Sequence, residues 1–209
     1  MSMTVEQFLS FSESEQLQTV KELNDTGNVK TIIDVLTSVG IENLSISLLG
    51  ELGRGYNNNG NEKEAIKVLE SIDEEYRDAV WYYRCAYAYG AIASDNNESY
   101  TSDIMKQMLR LVDQGVRLAQ EKNLDDIKSY CFEVIDMCYM QMDFEQCEAE
   151  YPELCKAYSN YVAEKRRNEK VYLVIGPLLL KKSNLQMICG PLMSPCIGLS
   201  IYMVLTMII

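Results

Sequence analysis

Two short clusters hold the side chains best suited to chemistry. Arg54, Asn57 and Asn58 stand at i, i+3 and i+4, and Tyr83, Arg84 and Tyr87 take a comparable face further along. Together they offer a guanidinium to a carboxylate, amides to a peptide backbone and phenol rings to apolar side chains. That is the chemistry of recognition rather than of bond breaking. The plainer reading of the same residues is a solvated surface, with the tyrosines partly packed between helices.

Catalytic readings begin from a poor inventory. The 209 residues contain no histidine, which removes the commonest general base, the commonest zinc ligand and every Ser-His or Cys-His nucleophile pair. There is no phosphate-cradling glycine loop. The acidic stretches 73–75 and 145–150 lack the alternating oxygen ligands and central glycine of a calcium loop, and read as solvated faces. The sequence therefore predicts no enzyme, no catalytic residue, no metal and no cofactor.

Seven cysteines, an odd number with no Cys-x-x-Cys pair, favour reduced thiols inside a cell over a disulfide framework. Cys131 and Cys138 lie seven apart on an apolar stripe, and Cys147 and Cys155 lie eight apart; both pairs read as helical returns of core thiols. A net charge of −12 argues against nucleic acid as a partner. The opening 15 residues are polar apart from Phe8, Leu9 and Phe11, so no secretory leader is expected and a cytoplasmic location is.

The elements that must position these residues follow a ladder of period 33. Gly27, Asn28, Lys30, Ile33, Val35 and Leu36 return as Gly60, Asn61, Lys63, Ile66, Val68 and Leu69. In the same register Val20 and Leu23 return as Gly53 and Tyr56, then as Ala86 and Tyr89. A repeat of this length marks stacked supersecondary units, none able to bury its apolar face alone. Ser12 to Glu15 has capping-box spacing, so a helix is predicted from there to Gly27. Further helices are predicted over 29–39, 44–58 and 62–71, and another from Asp78. A polar insertion over 94–99 then breaks the register. Apolar stripes through Ile104, Met108 and Leu111 and through Ile127, Cys131 and Val134 mark two more helices, and a last follows Asp143 with a restart at Pro152. Paired off, these make four hairpins.

The middle of the chain resembles the tetratricopeptide repeat. Gly53, Tyr56, Gly60 and Ala65 fit its small, aromatic, turn and alanine positions, followed by the large apolar Leu69; Trp81, Ala86 and Tyr89 fit the first helix of the next unit. The match is firmest over 44–93, and the array is a degenerate one of bacterial type. Ile32 stands where alanine is usual, and the third unit lacks the turn glycine. The resemblance implies an all-α fold over residues 1–170, in which antiparallel helical hairpins stack as a short right-handed solenoid. An irregular helical bundle is the alternative. It also implies that first helices line a concave groove holding a protein or peptide segment, with Arg54, Asn57, Asn58, Tyr83, Arg84 and Tyr87 as groove residues. Reversing the charge at Arg54 is expected to weaken such binding and leave stability nearly unchanged.

Residues 171–209 differ in kind. All 31 acidic residues lie before them, and Lys181 and Lys182 are their only charges. Residues 187–209 are long enough to cross a bilayer as a helix, although Gly190, Pro191, Pro195 and Gly198 interrupt the first half. Lys165, Arg166, Arg167, Lys170, Lys181 and Lys182 would hold the repeats on the cytoplasmic side. Three readings stand open: a membrane anchor that makes the protein a tail-anchored adaptor, an ending altered by a frame shift, and an apolar cap on the last hairpin.

Overall fold

The computed structural model describes residues 3–182, with side chains to residue 167. The candidate membrane segment 187–209 lies outside the described residues. Among the described residues no helix is long and apolar enough to cross a membrane. The chain divides into two compact units, Met1–Ala163 and Glu164–Ile209. Of the second, the described residues 164–182 are helical.

The described chain is helical throughout, without strands. Its helices are α1 (Val5–Leu9), α2 (Glu13–Asp25), α3 (Val29–Val39), α4 (Ile46–Asn58), α5 (Glu62–Glu70), α6 (Ala79–Asp95), α7 (Asp103–Glu121), α8 (Asp125–Met137), α9 (Phe144–Glu150) and α10 (Pro152–Lys182). Side chains set the starts. Ser12 and Glu15 form the expected capping box, each side chain bonded to the other's backbone N–H. Asp78, Ser102 and Asp143 each accept the N–H three residues on. Pro152 opens α10, where its missing N–H costs nothing. The short α1 was not anticipated. Thr4 and Gln7 form a second capping box there, and Phe8 is fully buried.

Four helix ends close in one way. The second residue past the helix sits in the left-handed region: Gly27 (φ 74°), Gly60 (φ 71°), Asn97 (φ 51°) and Asn123 (φ 56°). The next N–H then reaches back five residues, Asn28 to Leu23, Asn61 to Tyr56, Glu98 to Ala93 and Leu124 to Ala119, at 2.8–2.9 Å. This closure satisfies carbonyls that the helix leaves open. The third unit needs no turn glycine because Asn97 takes the left-handed conformation, which asparagine tolerates.

Helices pack on their neighbours in the chain and on the next helix but one. α2 packs on α3 and α4; α4 on α3, α5 and α6; α6 on α5, α7 and α8; and α7 on α8. The core runs through these contacts from Phe8 by Ile32, Leu36, Leu52 and Leu69 to Met108, Leu109 and Phe132. Small residues let the helices close. A Cβ on Gly53 would lie 2.5 Å from Leu69 Cγ, and one on Gly90 would lie 2.8 Å from Val134 Cγ1. Ala65 and Ala86 are fully buried. Trp81 is anchored by its indole N–H, which donates to the Leu69 carbonyl at 2.7 Å, and Arg77 covers its ring at 4.3 Å. Cys85, Cys131 and Cys138 are core thiols, and Cys138 donates to the Gly90 carbonyl.

Candidate functional site

A cavity of about 480 Å³ opens over one face of α2, α4 and α6. Its lining repeats with the period of the sequence: Leu17 and Gly50, Lys21 and Arg54, Ser47 and Val80, Glu51 and Arg84 each stand 33 apart. Ile46 and Tyr76, both exposed, add apolar surface to it, and Trp81 forms part of its wall.

The charges in the cavity are arranged around one buried carboxylate. Glu51, only 4% exposed, accepts from Arg84 Nη2 at 2.7 Å and from Asn24 Nδ2 at 2.9 Å, with Arg54 Nη1 at 3.6 Å. A carboxylate removed from water needs this many donors, because an unpaired one would carry the full desolvation cost. Arg54 also bonds Asp25 at 2.7 Å, where Asp25 is well exposed. Burial works against the Arg54 charge, but the hydrogen bond to Asp25 and the fields of Glu51 and Asp25 outweigh it and raise its pKa further. Lys21 is exposed, with no ion pair among the described residues. The Asp78 carboxylate caps α6 through the Trp81 N–H at 2.8 Å.

The six residues singled out in the sequence fall into separate places. Arg54 and Arg84 line the cavity and meet through Glu51. Asn57 is buried, and its Nδ2 donates to the Arg84 carbonyl at 2.9 Å, joining α4 to α6. Asn58 is exposed in the last turn of α4. Tyr83 and Tyr87 pair edge to face at 6.4 Å, and Tyr83 lies 5.4 Å from Tyr130 of α8. Burial, helped by Tyr87 and Glu133, pushes the Tyr83 phenol up to about 12.

Arg54 therefore has a structural role that the charge-reversal expectation did not give it. A glutamate there would face Asp25 and Glu51 and cost stability. Sequence reasoning also missed Glu51 and Asn24. Both were present in the ladder, since Asn24 and Asn57 stand 33 apart, as do Glu51 and Arg84. Each asparagine donates to a carbonyl 27 residues on, Asn24 to Glu51 at 3.1 Å and Asn57 to Arg84 at 2.9 Å.

No group of three or more metal-ligating side chains exists among the described residues. The cavity presents Lys21 and the exposed part of Arg54 beside apolar surface from Ile46 and Tyr76. Comparison with family models, curated proteins and solved structures gave no match.

Proposed function

We propose that the protein is a non-catalytic scaffold of the tetratricopeptide type, holding a protein or peptide segment in the groove of its stacked hairpins. The observation that carries this reading is the cavity lined at matching repeat positions of α2, α4 and α6. An extended segment lying across the three helices would meet equivalent helix positions at each repeat, filled alike by Lys21 and Arg54 and differently elsewhere. Lys21 and Arg54 favour a carboxylate on that segment, and Arg54 can leave the exposed Asp25 to take it. Ile46 and Tyr76 favour an apolar side chain beside it.

Selection of peptides from a random display library on the full chain tests the proposal. Enrichment of sequences pairing an acidic residue with apolar ones supports it. Enrichment of none, or of basic sequences only, contradicts it.

The uncharged residues 183–209 support a second reading, in which the same groove recruits its partner to a membrane. Alkaline-carbonate fractionation of the full chain beside a chain ending at residue 170 tests it. Retention of the full chain alone in the pellet supports an anchor, and release of both into the supernatant removes it.

A further inference from the structure

Cys147 and Cys155 do not stand as helical returns. Eight residues along an unbroken helix advance about 12 Å, too far for two thiols to touch. The chain breaks between α9 and α10: Tyr151 leaves helical geometry (φ −133°, ψ 62°), and Pro152 starts a new helix. The Tyr151 N–H still bonds the Cys147 carbonyl at 2.7 Å, and the Cys155 N–H bonds the Tyr151 carbonyl at 3.0 Å, so the corner is tightly held. It folds the Cys155 thiol onto Cys147, and the two sulfurs form a hydrogen bond at 3.2 Å.

From this corner we infer that Cys147 and Cys155 are a thiol pair that closes to an intrachain disulfide on exposure to a hydroperoxide. The pair is asymmetric in the way such chemistry needs. Cys147 is 1% exposed, while Cys155 is half-buried and open to solvent. Burial, with the neighbouring Cys155 sulfur, pushes the Cys147 thiol up to about 12. Cys155 Sγ attacks a peroxide oxygen; the O–O bond breaks, the Cys155 thiol proton passes to the departing oxygen, which leaves as water (or alcohol), and Cys155 becomes a sulfenic acid. The Cys147 sulfur then displaces the hydroxyl from Cys155 sulfur, its own proton departing with that hydroxyl as water, and the S–S bond forms. Two thiols are oxidised by two electrons and one peroxide is reduced.

The remaining described thiols are poor competitors. Cys85, Cys131 and Cys138 are buried, and burial pushes Cys131 up to about 12 and Cys138 up to about 11. The pair also lies outside the groove lining, so it stands or falls apart from the binding proposal.

The test uses the full chain treated briefly with hydrogen peroxide, blocked with an alkylating reagent and cut with a glutamate-specific protease. Cuts after Glu148, Glu150 and Glu153 place Cys147 and Cys155 on different peptides. The expected result is a linked Cys147–Cys155 peptide pair, absent without peroxide and lost on reduction, with Cys131 and Cys138 alkylated only after unfolding. Cys155→Ser should abolish the link, and Cys138→Ser should leave it. Cys155 over-oxidised with Cys147 still free, or either residue joined chiefly to another cysteine, overturns the inference.

Discussion

Glu51 and Arg84 stand 33 residues apart and meet at 2.7 Å between α4 and α6. They occupy one position in two successive repeats, so the period of the sequence has become an ion pair between neighbouring helices. The side chains are 5% and 14% exposed, which makes this a desolvated pair rather than a surface one. Removing one partner of such a pair strands the other. Glu51→Ala, which leaves Arg84 without its carboxylate and Asn24 with only the carbonyl of residue 51, should cost about 3 kcal/mol. Chemical denaturation of the two chains checks it, and a loss below about 1 kcal/mol, typical of a surface pair, would contradict the account.

The asparagine bonds supply a second comparison. Asn57→Ala removes the donor to the Arg84 carbonyl and should cost about 1–2 kcal/mol. Asn58→Ala, one residue on and exposed, should change stability by less than about 0.5 kcal/mol. Equal effects would mean that the α4–α6 bond contributes nothing.

Two glycines of α4 should respond in opposite directions. At Gly53 an added Cβ meets the fully buried Leu69 at 2.5 Å, so Gly53→Ala should destabilise by about 1–3 kcal/mol. At Gly55 the nearest atom is Ile32 Cγ2 at 3.5 Å, an ordinary contact. Gly55→Ala should therefore be neutral or stabilise by up to about 1 kcal/mol through helix propensity. Thermal melts of both variants decide it.

Alkaline titration should separate the tyrosines. Burial pushes Tyr83 up to about 12, and burial with the hydrogen bond to Glu70 does the same for Tyr89. Their native pKa values exceed the unfolded value near 10, so the neutral phenols favour the fold. That contribution is complete below about pH 10 and is lost as pH rises through about 12. Ultraviolet absorbance should show late-ionising phenols in the native chain but none in urea, and one fewer in Tyr83→Phe. A single native transition near pH 10 would contradict it.

Much of the fold could be read in the sequence, because the ladder, the caps and the apolar stripes are local signals. The predicted helices over 29–39 and 62–71 agree with α3 and α5 within a residue, and the restart at Pro152 is where α10 begins. Partner choice was not legible. Nothing in spacing says that Arg84 pairs with Glu51 while Arg54 turns to Asp25, since that depends on how far α4 is rotated against α2 and α6. Asn57 illustrates the same gap: i+3 from Arg54 placed it on the recognition face, yet its amide is spent on α6. The restart at Pro152 between Cys147 and Cys155 was legible, but the fold of one thiol onto the other was not, because it depends on the backbone angles at Tyr151.

The groove itself is tested most directly by the affinity of a selected peptide for the full chain and for Ser47→Phe. Ser47 is exposed and lines the cavity, so phenylalanine there occupies the groove without entering the core. The fluorescence of Trp81, the only tryptophan and part of the cavity wall, reports binding. A dissociation constant at least about tenfold higher for Ser47→Phe, a change of about 1.4 kcal/mol, with unchanged thermal stability, is the result expected. Equal affinity for the two chains would place the binding surface elsewhere.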